Sequence, residues 1–234
     1  MSSENGQSNT SVGRVVLRVL IACEVSGIVR EAFRKRGHIA WSCDLLDTDQ
    51  VGNHITGNVL DVLDEGWDLM IAHPPCTYLC SSGLHWNRRV PGRETKTKQA
   101  LEVVRRLMDA PIERIAIENP VGRIGTAIRP ADQYVQPWQF GHDASKKTGL
   151  WLKNLPKLEP TKIVEPRLVC CGKVLADGLG KYSCPNCCGD RVARPRHGNQ
   201  TDSGQNNLAP SDDRWKKRSE TYQGIADAMA IQWG

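Results

Sequence analysis

The sequence has no long apolar run, and this absence limits the classes of protein to which it can belong. A membrane-spanning helix needs about 18 or more consecutive apolar residues, and no such stretch occurs. The opening residues, MSSENGQSNTSVGR, also lack the apolar segment of a secretory signal. We therefore expect a cytoplasmic protein that does not enter a membrane, with a disordered leader over residues 1–14.

Without an export signal, the nine cysteines argue against a disulfide framework and favour thiolate chemistry or metal ligation. The 234 residues suffice for one α/β domain with a small appendage. The net charge of +5 suits a polyanionic partner. Because no exposed apolar stripe is evident, we assume a monomer.

Apolar runs alternate with helical periodicity through the first two thirds of the chain. Strands are predicted at residues 15–23, 38–43, 67–72 and 112–117, and helices at 26–37 and 95–108. The alternation predicts a doubly wound α/β sheet whose carboxyl edge carries the functional site.

The pattern changes after residue 153, and this change suggests four parts. The disordered leader precedes a catalytic core over residues 15–153. Residues 154–213 are rich in Pro, Cys and polar residues, which predicts a small Cys-rich module with a flexible linker. Residues 214–234 regain helical periodicity and are expected to return to the core.

Two short motifs follow predicted strands and carry the chemistry. Pro74-Pro75-Cys76 presents a thiol on a loop that is stiffened by prolines, and Glu118-Asn119 places an acid after another strand. Singly, the motifs are also consistent with an inert buried cysteine and a surface glutamate. Together they supply what alkylation of a pyrimidine carbon needs, which is a thiolate that adds to carbon 6 and a carboxyl group at nitrogen 3.

Five segments resemble the cytosine-5 DNA methyltransferase family, especially its compact phage and prophage members. They are LIACEVSGIVREAFRKRGHIAWSCDLLD, WDLMIAHPPCTYLCSSG, RIAIENPVG, VQPWQFGHDASKKTGLWLKNLP and TYQGIADAMAIQWG, in the order in which the family has them. The resemblance implies a Rossmann-like methyltransferase sheet, S-adenosylmethionine as the cofactor and double-stranded DNA as the partner. It also implies a protein that is encoded by a phage or prophage and acts in a bacterial cytoplasm, where it protects viral DNA from restriction.

The resemblance also implies roles for individual residues. Cys76 is the implied nucleophile, Glu118 contacts the nitrogen-3 edge of cytosine, Asn119 orders the loop, and Lys146 contacts the adduct or neighbouring phosphates. The implied cofactor site comprises Glu24, Ser26, Gly27, Asp44, Leu45, Asn58 and Pro74. A flipped cytosine leaves a gap in the duplex, and the loop at residues 77–93 is the candidate to fill it.

The chain departs from the family pattern at three places. Cys23-Glu24 stands where the family has glycine-rich sequence, and Asn58 stands where an aspartate meets the adenine amino group. The amide oxygen of Asn58 can accept the same hydrogen bond, and Asp61 is a nearby substitute. Lysines at 146 and 147 replace arginines, so the charge remains but the bidentate geometry is lost.

The Cys-rich segment predicts a structural zinc site of the ribbon type. Cys184 and Cys187 have a zinc-knuckle spacing, and the pair Cys170 and Cys171 lies far enough upstream to form the other half. Cys188 is a fifth candidate ligand, and free or redox-sensitive thiols are the alternative. Basic residues flank the cluster, which suits a module that contacts DNA.

Three other functions remain open from the sequence. An amino-group methyltransferase shares the cofactor fold, but it usually has an aromatic residue after its two prolines, where this chain has Cys76. A catalytically silent, zinc-bearing DNA-binding relative is the alternative outside enzymes. The third is an enzyme that acts on an altered cytosine or transfers a group other than methyl.

Overall fold

A computed structural model describes residues 15–170, 173–174, 194–201, 206–212 and 214–234. The described residues form a seven-stranded sheet and a separate three-stranded sheet. The strands of the large sheet are β1 Arg18–Ala22, β2 Ile39–Asp44, β3 His54–Thr56, β4 Leu69–Ala72, β5 Arg114–Pro120, β6 Gln133–Val135 and β7 Thr148–Lys153. The small antiparallel sheet comprises β8 Arg167–Cys170, β9 Lys173–Val174 and β10 Arg194–Arg196.

Helices lie on both faces of the large sheet. They are α1 Ile28–Lys35, α2 Ser81–Leu84, α3 Arg93–Met108, α4 Ile124–Ala127, α5 Arg214–Ser219 and α6 Gln223–Gln232. Single 3-10 turns occur at Val59–Asp61, Cys76–Tyr78, His85–Arg88 and Pro137–Gln139.

The central strands are apolar on both faces because each face is covered by helices. Along β1, Val19 and Ile21 pack into a core with α1 and α6, whereas Leu20 and Ala22 pack into a second core with α3. All four side chains are fully buried. This arrangement is a three-layer α/β/α domain, in which central parallel strands have near-continuous hydrophobic sequence.

The strand order is β3-β2-β1-β4-β5-β7-β6. Pairing is parallel from β3 through β5, and β7 runs antiparallel to both of its neighbours. The order reverses between β1 and β4, and open α/β sheets bind their ligands at such a switch point, beyond the carboxyl ends of the strands. The fold therefore places a crevice beyond Ala22 and Ala72.

The prediction of an α/β fold with a mostly parallel sheet is confirmed, and the differences lie at the ends of elements. The first strand is shorter than the predicted 15–23, and the helix predicted at 95–108 starts at Arg93. The tail forms α5 and α6 rather than one helix, and α6 packs against α1. Within the described residues, no helix combines the length and the apolar character that crossing a bilayer requires. The predicted leader lies outside the described residues.

Candidate active site

A cleft of about 1180 Å³ opens at the carboxyl edge of the large sheet. One end is formed by residues after β1 and β2, including Glu24, Ser26, Asp44 and Leu45. The other end is formed by residues after β4, and Cys76 lies there. The cleft thus joins the crevice at the switch point to the predicted nucleophile.

The glutamate at the first end caps helix α1. Glu24 is 5% exposed, and its Oε1 and Oε2 accept hydrogen bonds from the backbone N–H groups of Val29 and Arg30 at 2.7 and 3.2 Å. The Ser26 hydroxyl donates to Oε1 at 3.3 Å. A carboxylate of the chain itself therefore occupies the helix terminus that binds pyrophosphate in dinucleotide sites.

Burial dominates the electrostatics of this glutamate. Burial raises the pKa of Glu24, while the nearby His73 and the two backbone N–H groups oppose this increase without cancelling it. The same His73 contacts the predicted catalytic glutamate, as described below. The two ends of the cleft are thus linked through one imidazole.

The first turn after β1 has the backbone geometry of a glycine turn, although it contains a cysteine. Cys23 has φ of 60°, a left-handed conformation that a non-glycine residue rarely adopts. Gly27 also has a positive φ, 70°, and a Cβ there would lie 2.8 Å from Nη2 of the buried Arg30. Cys23 therefore has a backbone conformation that glycine adopts more readily than cysteine does.

Some of the remaining residues of the predicted cofactor site line the cleft and others do not. Asp44 ends β2 and lines the cleft, where its Oδ1 accepts a hydrogen bond from the Leu46 N–H at 3.0 Å. Asn58 instead caps a 3-10 turn by accepting from the Leu60 N–H, and the described lining of the cleft does not include it. Pro74 is buried beneath the lining, where Pro75 and not Pro74 contributes to the surface.

The loop that carries Cys76 is fixed to the neighbouring strand. Asn119 is 1% exposed, and its Nδ2 donates a hydrogen bond to the Pro74 carbonyl oxygen at 2.7 Å. Leaving such a buried carbonyl unpaired costs about 1–3 kcal/mol. Asn119 therefore connects the two sequence motifs, and its role in ordering the loop, which the resemblance implied, stays a prediction.

Glu118 lies beside the cleft and makes a polar contact with a histidine that the sequence did not reveal. Ala72 and Ile117 are opposite each other in the parallel register of β4 and β5, so the next residues, His73 and Glu118, are neighbours. His73 Nδ1 lies 3.1 Å from Glu118 Oε2. His73 Nε2 is buried and has no hydrogen-bond partner among the described residues.

The environment of Glu118 favours its ionised form. Burial by itself raises the pKa of the carboxyl group, but the hydrogen bond and charge of His73, the charge of Lys146 and the Thr148 hydroxyl together hold the pKa below its usual value. Glu118, Lys146 and Thr148 line a small pocket next to the cleft. The structure therefore brings Cys76 and Lys146 to one end of the cleft and places Glu118 in the pocket beside them.

Lys146 contacts a helix that the sequence analysis did not assign to the site. Its Nζ donates to the carbonyl oxygens of Arg218 and Glu220 at 2.8 and 3.1 Å, at the end of α5. The same helix, α5, makes a second contact through the ion pair between its Lys216 and Asp49, on the far side of the cleft. Helix α5, with the sequence RWKKRS, thus spans the cleft and adds positive charge to it. The signal for this role was the run of basic residues before the closing helix.

A second thiol lies beside the predicted nucleophile. Cys80 is four residues after Cys76, its backbone N–H donates to the Cys76 carbonyl oxygen at 2.9 Å, and both cysteines line the cleft. The nearby Cys80, burial and the charge of Glu118 raise the pKa of Cys76, whereas Lys146 lowers it. The nearby Cys76 lowers the pKa of Cys80 to about 5, with help from Ser82, the Gly83 N–H and Arg218.

The zinc prediction lies almost entirely outside the described residues. Cys171, Cys184 and Cys187 are outside them, as is Cys188, and only the backbone of Cys170 is described, at the end of β8. In the parts of the chain that the structure describes, no group of three or more His, Cys, Asp or Glu residues is arranged to hold a metal ion. The ligand set remains a prediction.

Comparison with known proteins gave no assignment. No protein-family model matches the chain, and no curated protein matches it.

Proposed function

We propose that the protein is an S-adenosylmethionine-dependent DNA methyltransferase that methylates carbon 5 of cytosine through a covalent bond to Cys76. The observation that carries the proposal is that Cys76 and Lys146 line one end of a cleft, that Glu118 lines a small pocket beside them, and that the other end of the cleft is the switch-point crevice. One β-sheet edge thus offers a nucleophile and an acid on adjacent strands, next to a nucleotide-type binding site.

The first end of the cleft disfavours a cofactor that would place a pyrophosphate at the N-terminus of α1. The Glu24 carboxylate occupies the N-terminus of α1, so a phosphate there would meet a buried negative charge. S-adenosylmethionine has a sulfonium and an amino group instead of phosphates, and both are cationic. Glu24 and Ser26 are suited to hold its methionine end, and Asp44 its ribose hydroxyls. When bound, the cofactor supplies an electrophilic methyl group.

The residues at the other end are suited to activate cytosine. Addition of the Cys76 sulfur to carbon 6 makes carbon 5 nucleophilic, and negative charge develops at nitrogen 3. Glu118 can stabilise that charge only in its protonated form, by donating a hydrogen bond to nitrogen 3, so the carboxyl group must take up a proton when cytosine binds. His73 holds the Glu118 carboxylate through a 3.1 Å contact, and Asn119 fixes the loop through Pro74. Lys146 places positive charge close to both Cys76 and Glu118.

The rim of the cleft supports DNA as the substrate. The basic residues along its lining are Arg93, Lys146, Lys147, Lys216, Lys217 and Arg218. Protein contacts with phosphates are made chiefly by such side chains. Trp86 and Val90 lie on the same rim, 45% and 44% exposed, in the segment that we predicted to fill the gap left by a flipped base.

The test is mass spectrometry of nucleosides from DNA that was incubated with S-adenosylmethionine and the protein. We expect 5-methylcytosine with the wild type, none with Cys76→Ser, and wild-type product with Cys43→Ala, which removes a buried thiol of β2. DNA containing 5-fluorocytosine should trap a covalent complex with the wild type, because fluorine cannot leave carbon 5 as a proton does.

Other products would replace the proposal. N4-methylcytosine or N6-methyladenine, without a trapped complex, would identify an amino-group methyltransferase. DNA binding without any product on plain or modified DNA would identify the silent relative. A mass other than that of a methyl group on cytosine would identify a different transferred group.

A further inference from the structure

The proposed mechanism makes two opposing demands on Glu118. The surroundings of the carboxyl group hold its pKa below the usual value, so the group is ionised before the substrate binds. Stabilisation of charge at nitrogen 3 requires the protonated form, which donates a hydrogen bond. Only the oxygen that faces the base is useful as a donor. The site therefore needs a group that determines which of the two carboxyl oxygens takes up the proton.

His73 is held in a fixed position beside Glu118. Its backbone N–H donates to the Ala22 carbonyl oxygen at 2.9 Å, at the point where β1 and β4 end. Its side chain is 9% exposed, and Nδ1 lies 3.1 Å from Glu118 Oε2. The parallel register of β4 against β5 makes the two residues neighbours. The ends of two paired strands thus determine how the ring meets the carboxyl group.

The surroundings of both ring nitrogens place the hydrogen of the neutral ring on Nδ1. An ionised carboxylate can only accept a hydrogen bond, so the contact of His73 with Oε2 requires a hydrogen on Nδ1. Nε2 is buried and has no hydrogen-bond partner among the described residues. A hydrogen on Nε2 would therefore be a buried, unpaired donor, which is unfavourable. The imidazolium form also carries a hydrogen on Nδ1, so His73 donates to Oε2 in either charge state.

Four titratable groups from different elements act on this contact. Glu24, in the turn after β1, and Glu118, on β5, are acids whose pKa values are lowered by His73. Lys146, before β7, also lowers the pKa of Glu118, and Cys76 lies on the same loop as His73. The Glu24 carboxylate is bound to the N-terminus of α1, and the ring nitrogen Nδ1 is directed to Glu118.

We propose that His73 is the positioning residue of Glu118, in that its Nδ1–H occupies Oε2 and leaves Oε1 to carry the proton that cytosine requires. This assignment rests on the proposed function for its substrate, but the contact can be tested without it. As cytosine binds, Glu118 takes up a proton from water, an O–H bond forms at Oε1, and its hydrogen is donated to nitrogen 3. The Nδ1–H bond stays intact, and the proton returns to water when the base leaves.

The titration of Glu118 without DNA is the direct test, because it requires no activity. Carbon-13 NMR of protein labelled at the glutamate carboxyl carbon reports ionisation, and Glu118→Gln identifies the resonance. In the wild type we expect the pKa of Glu118 to lie below 4.5. In His73→Ala this pKa should rise above 4.5, because burial then dominates. In His73→Asn, whose amide nitrogen replaces Nδ1 as the donor, the pKa should rise less.

His38→Asn is the matched control. His38 is also a buried histidine, but it lies before β2 at the amino edge of the sheet, where its Nδ1 accepts a hydrogen bond from the Leu17 N–H. This variant should leave the titration of Glu118 unchanged. Circular dichroism establishes that each variant is folded, and His73→Asn carries the test if His73→Ala does not fold.

Kinetics test the role of His73 in the reaction. With DNA and S-adenosylmethionine, His73→Ala should lower kcat by about 100-fold, the cost of a small misplacement of a catalytic group, with little change in KM for DNA. Because Glu118 acts in its protonated form, kcat should fall as the pH rises through the pKa of Glu118 in the complex. In His73→Ala this fall should occur at higher pH, and His73→Asn should restore most of kcat. A merely structural role would lower kcat without moving the pH of the fall.

The outcomes separate this proposal from the proposed function. An unchanged titration of Glu118 in folded His73→Ala overturns the role of His73, as does a kcat in His73→Asn as low as that in His73→Ala. A wild-type kcat and pH dependence in His73→Ala would overturn it as well. A shifted titration in a protein that makes no methylated base supports the contact of His73 with Glu118 and overturns the proposed function alone.

Discussion

Glu118 and His73 form one chemical unit although they are 45 residues apart in the sequence. Glu118 was predicted because a strand-end acid next to asparagine matches a family motif. His73 was missed because its contact depends on the register of β4 against β5, which the sequence does not contain. The sequence also did not indicate that Cys80 lines the cleft, because spacing alone does not indicate which way a thiol points.

The stability of the protein should depend on the ionisation of Glu118. His73 and Lys146 hold its pKa in the folded protein below the ordinary value of 4.5. Such a carboxylate stabilises the fold above pH 4.5, and this contribution is lost as the pH falls through the folded-state pKa. Glu118→Gln does not titrate at this position, so its melting temperature should fall less than that of the wild type as the pH is lowered from about 5 to about 3. Parallel losses in calorimetry would contradict this assignment.

At the scale of elements, α1 illustrates how a functional site is built at a helix terminus. Its predicted position was nearly right because its apolar face and the Gly37 stop signal are local features. The role of Glu24 as the cap was not predicted, because a cap reached from five residues upstream depends on how the chain turns after β1. For Asn58, the position in the motif suggested a cofactor contact. In the structure its side chain instead caps a turn, by accepting a hydrogen bond from the Leu60 N–H.

The turn before α1 should be more sensitive to substitution than the turn after it. Gly27 and Gly37 both have positive φ, 70° and 86°, so alanine is strained by about 1–2 kcal/mol at either position. A Cβ at Gly27 also meets Arg30 at 2.8 Å, whereas nothing lies within 4 Å at Gly37. We expect Gly27→Ala to lower the free energy of unfolding in urea by more than Gly37→Ala does. Equal losses would show that Arg30 moves away without cost.

Helix α5 should contribute to DNA binding through charge. Lys217 is exposed and lines the cleft, so we expect it to contact a phosphate. Lys217→Ala should weaken binding to all duplex sequences similarly and reduce the slope of log K against log salt concentration by about 0.9. The matched control is Lys35→Ala, an exposed lysine at the end of α1, at the opposite edge of the sheet. Equal salt slopes for both variants, measured by fluorescence anisotropy, would exclude α5 from the interface.

At the scale of the whole molecule, the sheet was the most predictable feature. Runs such as VVLRVLIAC and WDLMIA are apolar without alternation, and this pattern indicates parallel strands that are covered on both faces. The antiparallel β7 between β5 and β6 was not predicted, because the order of strands depends on how long connections cross the sheet. The strand order is compatible with a Rossmann-like fold, which does not by itself identify the cofactor, so a binding measurement must do so.

Cofactor binding should stabilise the whole domain, because the cleft is lined by residues at the carboxyl ends of β1, β2 and β4. At a free concentration 100 times the Kd, a ligand adds about 2.7 kcal/mol to the stability of the folded state. For a domain of this size, that corresponds to an increase in Tm of about 5–11 °C. We expect S-adenosylmethionine to produce such an increase, and Asp44→Ala to diminish it. NAD should produce none, because its pyrophosphate would meet the Glu24 carboxylate at the start of α1. A shift with NAD and none with S-adenosylmethionine would mean that Glu24 leaves the helix terminus on binding, and the crevice would then belong to a dinucleotide enzyme.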